Sequence, residues 1–453
     1  MPRLTLLLVA VLAGTLPTAS AVELPVAART LSNGLRVLIH EDHSAPVVSS
    51  YVFYRVGSRN EQRGETGISH LFEHMMFNGG KKFGPGVFDD LIEGNGGSTN
   101  GFTTRDYTAY LNNFPREALP VVLDLESDRM ANLAITKQNL EQERGIVMEE
   151  RRLRVDNEVS GVMDEALYLH AFVESPYRWP VIGFMADIER ITLEQARAYF
   201  ETYYAPNNAT LVLAGDVDPP AAFTLVERYF GKIRRRPPPR PVEAAEPAAD
   251  GERHLWVRKN AELPAVMIGW HAPAALDKDR APLDLIERLL SGGESARLYA
   301  DLVREHEVAT GAEANNNWGI DQDLFWVYGQ ARPKKTAADV IARIDAVLAK
   351  LRDQPVPADE LEKAKKQLRA EYVEGLKTVS GKANKLGFFE TVFKDYHALF
   401  ALEESWNAVT AADVQRVAQA YLRPELRTIV ELVPVPAPGR PAAEGPPRPG
   451  ATS

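Results

Sequence analysis

A short segment of this chain occurs twice, and the repeat limits the folds that the chain can adopt. At one constant offset of 218 residues, Thr192, Tyr203, Pro206 and Thr210 recur as Thr410, Tyr421, Pro424 and Thr428. In both copies the Thr precedes an amphipathic helix, the helix ends before the Pro, and a β-rich run follows over 209–217 or 427–433. The repeat therefore predicts a duplicated structural unit within the 453 residues.

The segment between the two copies cannot continue a helix or a central strand. Residues 234–241 read Arg-Arg-Arg-Pro-Pro-Pro-Arg-Pro, and consecutive prolines favour a semi-rigid connection. The chain beyond residue 434 is rich in Pro, Gly and Ala, which is typical of disorder. We predict a first half over 22–235, a linker over 236–250, a homologous second half over 251–435 and a disordered tail over 436–453.

Strand-like and helical segments mix along the chain without a strict βαβ order. Strand-like runs cover 35–39, 47–56 and 107–111, and helical patterns cover 68–77, 120–131 and 137–154. This order favours an α+β fold over a doubly wound parallel sheet. We predict two homologous halves resembling α/β sandwiches, each with a mixed sheet packed against helices.

The amino terminus has the pattern of an export signal. Arg3 precedes an apolar run over 4–16 that is too short to span a bilayer comfortably, and Ala19-Ser20-Ala21 fits a small-x-small cleavage site. A buried terminal helix is the alternative interpretation. The pattern predicts a signal peptide over residues 1–21, cleavage after Ala21 and a periplasmic or secreted protein. Elsewhere the sequence contains no apolar run of transmembrane length.

Composition excludes several classes of function. With 52 basic and 62 acidic residues the net charge is −10, so the chain has no basic excess to neutralise nucleic-acid phosphates. The sequence contains no cysteine. Disulfides, thiolate nucleophiles and metal sites with cysteine ligands are therefore excluded.

The main chemical signal is the motif His70-Leu71-Phe72-Glu73-His74. On a helix, His74 lies about 40° and Glu73 about 60° from His70, on opposite sides of it, so all three side chains point the same way. Two imidazoles one turn apart can bind a metal ion, and the adjacent carboxylate can accept a proton from a metal-activated water. A solvated helix face is the alternative, but the apolar neighbours of these histidines indicate burial.

The segment from Leu140 to Leu153 offers a third metal ligand. If the apolar face of this helix is centred on Ile146, both Glu143 and Glu150 project from that face. Buried carboxylates need a cation or hydrogen-bond donors, and a metal bound by the two histidines would supply the cation. Glu149 lies at the edge of the face and is the weaker candidate. An acidic, solvated helix is the alternative and does not account for the Glu143 and Glu150 pair.

These motifs together resemble the inverzincin zinc peptidases of the pitrilysin and insulinase family, which includes the mitochondrial processing peptidase. The segment 143–150, Glu-Arg-Gly-Ile-Val-Met-Glu-Glu, is similar to the family segment that contains the third zinc ligand. Residues 96–104 and 203–208 match further family segments, and the resemblance covers nearly the whole mature chain.

The resemblance implies a zinc metalloendopeptidase that hydrolyses peptides or unfolded polypeptide segments. One Zn²⁺ per chain would be bound by His70, His74 and Glu150. Glu143 would contact one of these ligands without binding the metal, and Glu73 would act as general base on zinc-bound water. The substrate would pair as an extra strand beside Asn100, Gly101 and Phe102, as in the family's edge strand.

The second half departs from the family pattern. Active members have an Arg and a Tyr seven residues apart that bind the substrate and the developing oxyanion. Arg304 matches the arginine, but the tyrosine position falls at Thr310 or Gly311. The resemblance therefore implies a catalytic subunit that forms a heterodimer with a paralogous subunit carrying the Arg/Tyr pair.

Three alternatives to this heterodimer remain open at the level of sequence. One is a homodimer in which Tyr299 or Asn315 supplies the missing donor. The others are a non-catalytic structural or chaperone-like subunit and a zinc-binding protein without activity. A general base beside intact zinc ligands argues against the last two.

Overall fold

The computed structural model describes residues 24–435. The predicted signal peptide and tail lie outside the described residues. In the first half the strands are β1 Ala27–Thr30, β2 Arg36–Glu41, β3 Val47–Tyr54, β4 Ser98–Thr103, β5 Thr108–Pro115 and β6 Ala209–Gly215. The helices of this half are α1 Ile68–Met75, α2 Val87–Gly94, α3 Leu119–Asn132, α4 Lys137–Arg151, α5 Val159–Ala171, α6 Met185–Ile188, α7 Leu193–Tyr203 and α8 Pro219–Phe230.

The second half repeats this order in part, with one strand and two helices fewer among the described residues. Its strands are β7 Arg253–Asn260, β8 Ala265–Ala272, β9 Ala309–Asn316, β10 Asp323–Ala331 and β11 Arg427–Val435. Its helices are α9 Arg280–Ser291, α10 Ala337–Asp353, α11 Ala358–Gly375, α12 Val379–Val392, α13 Leu402–Ala408 and α14 Ala411–Tyr421. Two π-helical segments, Arg152–Asp156 and Tyr299–Glu305, follow α4 and α9.

Each half contains one mixed sheet, which confirms the predicted fold class. The first sheet has the order β1-β2-β6-β3-β5-β4 and the second has the order β7-β11-β8-β10-β9. The pairs β2–β6 and β7–β11 are parallel, and the remaining pairs are antiparallel. Strands β4 and β9 therefore lie at equivalent edges of their sheets.

The repeated segment forms the same structure in both halves. Thr192 caps α7 by accepting a hydrogen bond from the Gln195 amide at 3.2 Å, and Thr410 caps α14 by accepting one from the Asp413 amide at 3.2 Å. Each helix leads into a strand in the middle of its sheet, β6 or β11. The prediction of a duplicated unit is confirmed.

Two elements end more than two residues away from their predicted ends. The helix predicted over 137–154 ends as an α-helix at Arg151 and continues as a π-helix to Asp156. The strand predicted over 107–111 extends to Pro115, because its polar residues have hydrogen-bond partners on a neighbouring helix and strand. Asn112 donates to Glu126 at 2.6 Å, and Asn113 accepts from Ser49 at 2.9 Å.

The two halves exchange a helix. Helix α12 of the second half packs on β3 and β6 of the first sheet, whereas α5 of the first half packs on β8 and β11 of the second sheet. Small residues allow both contacts: Gly387 of α12 lies against the Phe53 ring, and Gly269 of β8 lies against Leu167 of α5.

Gly387→Ala is expected to destabilise the contact between the halves, because an added Cβ would overlap the Phe53 ring. Overpacking of this kind costs about 1–3 kcal/mol in the free energy of unfolding. Thermal unfolding of the two proteins measures the effect. Gly145→Ala in α4 is the matched control, since nothing lies within 4 Å of its Cβ position; equal melting temperatures for Gly387→Ala and wild type would contradict the expectation.

Polar contacts join the halves beside the turn that follows β4. Asp106 in this turn accepts a hydrogen bond from Tyr177 at 2.5 Å and one from the Ile320 amide of the second half at 3.0 Å. Arg59 of the first half pairs with Asp321 of the second. These contacts fix the end of β4 relative to both halves.

The connection between the halves runs without helix or strand over 234–250 and is attached to the first half. The Glu246 carboxylate accepts hydrogen bonds from three consecutive backbone amides, those of Val173, Glu174 and Ser175, at 2.7–2.9 Å.

Within residues 24–435, no helix combines the length and the apolar character needed to cross a membrane.

Candidate metal centre and active site

Helix α1 carries the two motif histidines, and its amino terminus is fixed by the residues around it. Gly67 begins the helix with a φ of 89°, a conformation that favours glycine, and a Cβ there would collide with the Ile182 carbonyl. The buried Glu61 carboxylate accepts hydrogen bonds from the Gly67 amide at 2.9 Å and the Ser69 amide at 2.8 Å. These contacts satisfy helix donors that otherwise lack partners.

Helix α4 packs against α1 and brings two carboxylates to the histidines. Glu150 Oε2 lies 3.2 Å from His74 Nε2 and 3.6 Å from His70 Nε2. Three ligand atoms lie within 4.8 Å of one another, one each from His70, His74 and Glu150. Glu143 Oε2 lies on the other side of the second histidine, 3.7 Å from His74 Nδ1.

The donor set fits a zinc ion. Two imidazoles and one carboxylate are the three protein ligands typical of a catalytic zinc site, which leaves a fourth position open. Glu150 Oε2 is buried without a hydrogen-bond partner, as a carboxylate oxygen facing a metal position would be. Glu143 lies on the Nδ1 side of the His74 ring, opposite Glu150, where it can orient the ring. The Asn78 side-chain amide donates to Glu143 Oε1 at 2.9 Å.

The electrostatics of this cluster also favour a cation. Burial, assisted by the neighbouring His74, lowers the pKa of His70 to about 4. Burial also acts to lower the pKa of His74, but Glu143 and Glu150 outweigh it and raise that pKa to about 9. The nearby His74 lowers the pKa of Glu150. A metal ion would replace the His74 proton as the positive partner of Glu150.

Glu73 lies beside this cluster and does not belong to it. Its Oε2 accepts a hydrogen bond from the Thr103 hydroxyl on β4 at 2.7 Å. Burial raises the pKa of Glu73 above its ordinary value. A carboxylate that is close to the metal position, but outside the ligand set, is placed to exchange a proton with a water molecule there.

The prediction about the apolar face of α4 is wrong, although the two carboxylates are placed as expected. Ile146 is 46% exposed and Leu153 is 60% exposed. The buried face instead includes Glu143, Val147 and Arg151, because contacts with α1 and α5 satisfy the charged side chains. Glu149 is exposed and pairs with Arg152 at 2.7 Å, away from the histidines.

The residues proposed for substrate binding lie in two places. Asn100, Gly101 and Phe102 lie on β4, at the edge of the first sheet, next to α1. Arg304 is an exposed residue of the π-helix of the second half, 3.8 Å from Glu305. All three residues of the candidate metal cluster belong to the first half.

The second half has no phenol at the position where the family pattern places the tyrosine. Thr310 donates to the Gln330 side chain at 3.0 Å, and Gly311 has no side chain. Of the two alternative donors, Tyr299 is partly buried against the core of the second half. Asn315 has a buried Oδ1 without a partner.

Sequence reasoning missed three residues around the site. Arg154 pairs with Glu150 Oε1 at 2.9 Å, and its position four residues after Glu150 is a signal that could have identified it. Asn78 and Thr103 contact Glu143 and Glu73 only through tertiary packing.

Comparisons with known proteins identify the family of this chain. A family model described as "Insulinase (Peptidase family M16)" matches residues 36–183, and one described as "Peptidase M16 inactive domain" matches residues 190–368. The zinc protease PqqE of Helicobacter pylori is 32% identical over 410 residues, covering 89% of this chain and 92% of that protein. This chain belongs to the M16 insulinase family of peptidases.

Solved structures of other proteins share the fold of most of this chain. The crystal structure of a protease from Helicobacter pylori has a TM-score of 0.88 and 31% identity, and it covers 91% of this chain and 100% of that one. A putative M16-like peptidase from Alicyclobacillus acidocaldarius has a TM-score of 0.81 at 23% identity, covering 92% and 100% of the two chains. M16 membership and the zinc protease relatives identify this chain as a zinc peptidase in general terms.

Proposed function

We propose that this M16 protein is a zinc metalloendopeptidase that hydrolyses peptides or unfolded polypeptide segments. The observation that carries the proposal is the convergence of His70, His74 and Glu150 within 4.8 Å, with Glu73 beside them and outside the ligand set. His70, His74 and Glu150 would bind one zinc ion per chain. When bound, zinc supplies a Lewis acid that polarises the scissile carbonyl and lowers the pKa of a water molecule toward neutrality.

The protein residues around this position have separate roles in the proposed reaction. Glu73 accepts the proton of the attacking water and donates it to the leaving amine nitrogen. Glu143 keeps the His74 ring oriented toward the ligand position, because it contacts the opposite ring nitrogen. Neither role is available to Glu149, whose carboxylate is exposed and paired with Arg152.

The substrate is proposed to bind as an additional strand at Asn100–Phe102. Among the described strands only β5 pairs with β4, so the other edge of β4 offers backbone donors and acceptors to an extended peptide. This mode requires an extended chain, which favours peptides and unfolded segments over folded proteins. Export with cleavage after Ala21 would place the activity in the periplasm or outside the cell.

The chain is proposed to act as the catalytic subunit of a heterodimer. All three proposed zinc ligands are present, but Thr310 and Gly311 leave no phenol at the family's tyrosine position, and loss of one oxyanion donor typically lowers turnover about 10²–10³-fold. A paralogous subunit with the Arg/Tyr pair would supply that donor. Ile146 on α4 and Leu153 in the π-helix that follows it are exposed near Glu150 and leave an apolar surface for the partner subunit to cover.

Peptide digestion tests both parts of this proposal. The zinc-loaded chain and its complex with a co-expressed paralogue are each incubated with an unstructured peptide, with and without a chelator. We expect chelator-sensitive cleavage, and a specific activity of the pair about 100-fold or more above that of the isolated chain. If the isolated chain reaches the activity of the best mixture, the heterodimer is wrong. If neither cleaves peptides although zinc is bound, a structural or zinc-binding role is favoured.

A further inference from the structure

We propose that Thr103 is a positioning residue for Glu73, so that the strand that receives the substrate also orients the general base. This inference rests on the proposed function. Strand β4 has a free edge on one side and a face that packs against α1. The side chain of Thr103 is on that face and contacts Glu73.

The hydrogen bond between the two residues has a defined direction. The Thr103 hydroxyl lies 2.7 Å from Glu73 Oε2, and an ionised carboxylate can only accept. The nearby Thr108 hydroxyl, 3.4 Å from that of Thr103, has the Val56 carbonyl as an acceptor at 2.9 Å. Thr103 therefore donates its single proton to Glu73, and the second carboxylate oxygen is left for the water molecule.

Gly101, two residues earlier on the same face of β4, fixes the other end of the Glu73 side chain. A Cβ at Gly101 would lie 3.3 Å from Glu73 Cγ and 3.2 Å from the Phe77 ring. The Glu73 methylene group thus packs against the backbone of Gly101, which has no side chain, while Thr103 determines the direction of the carboxylate. The two contacts together restrict the rotamers that Glu73 can adopt.

The arrangement links the position of the base to the position of the substrate. A peptide paired at Asn100–Phe102 would take its register from the same strand that orients Glu73. Displacement of a catalytic group by about 1 Å can lower turnover 10²-fold, so this shared support matters for the rate. Contacts of Asp106 with both halves hold the turn after β4 and stiffen this support.

Thr103→Val removes the hydroxyl and keeps the branched shape, so it tests the proposal directly. The variant is assayed in the form in which the wild type is most active, either the isolated chain or its complex with the paralogue. Its kcat is expected to fall about 10- to 100-fold, with KM and zinc content unchanged. Thr103→Ser keeps the hydroxyl and is expected to restore kcat to within a few-fold of wild type. The matched control is Thr210→Val in β6, which removes a buried hydroxyl without a hydrogen-bond partner and should leave kcat unchanged.

The proposal is overturned if Thr103→Val keeps wild-type kcat, if it changes only KM, or if Thr103→Ser is as impaired as the Val variant. Thr103→Ala takes the place of the Val variant if the latter does not fold. A crystal structure of the zinc-loaded variant gives a readout independent of activity: Glu73 is expected to leave its place beside β4, and an unmoved carboxylate contradicts the proposal. If wild type cleaves no peptide, the proposed function fails. The crystal structures of the wild type and the variant then still show whether Thr103 positions Glu73.

Discussion

Glu73→Gln is expected to lower peptide turnover by on the order of 10²–10⁴-fold while zinc remains bound. The amide keeps the size of the side chain and can still accept the hydrogen bond from Thr103, but it cannot take a proton from water. Zinc binding should persist, because Glu73 does not belong to the His70, His74 and Glu150 cluster. Single-turnover cleavage rates and metal analysis of the same preparation measure both quantities.

Glu149→Gln is the matched control for this experiment, since it makes the same chemical change at an exposed residue paired with Arg152. It should keep wild-type turnover and zinc content. Full activity in a zinc-loaded Glu73→Gln protein would end the assignment of Glu73 as general base.

Glu150→Gln and His74→Ala are each expected to weaken zinc binding by more than about 100-fold. Loss of a group that only supports a ligand already costs roughly 10–100-fold in metal affinity, and these substitutions remove a ligand itself. Glu150 contributes the negative charge of the cluster, and His74 lies closer to its carboxylate than His70 does. Competition with a chromophoric chelator measures the affinity without reference to activity.

The same Glu149→Gln protein controls this second experiment, because the two adjacent glutamates differ in what they face. Glu149 is exposed, whereas Glu150 Oε2 is buried beside both imidazoles. Stoichiometric zinc in Glu150→Gln together with zinc loss in Glu149→Gln would show that the wrong residue has been chosen as the third ligand.

The sequence was sufficient for those parts of the site that lie within one turn of helix. The spacing of His70, Glu73 and His74 determines their common direction once the segment is helical, and the structure has that helix over Ile68–Met75. The third ligand required more. The family pattern pointed to Glu150, but the buried face of its helix is not centred on Ile146 as predicted, because hydropathy treats Arg151 as a surface residue although it is buried in an ion pair with Glu165.

Contacts that depend on packing between distant segments could not be predicted from the sequence. Thr103 and Glu73 are 30 residues apart, and their hydrogen bond exists because β4 crosses the face of α1. The repeat predicted two similar halves, and the structure contains them. It did not predict the exchange of α5 and α12, because an amphipathic pattern indicates that a helix has an apolar side but not which sheet it covers.

Because α5 and α12 are exchanged, the two halves are held together by packing as well as by the covalent connection between them. Each sheet is covered in part by a helix from the other half, and ion pairs such as Arg36 with Glu390 and Lys382 with Asp42 join the same surfaces. A single cut within 236–250 would therefore divide the polypeptide without dividing the particle. Either half produced alone would expose one sheet face, open to self-association.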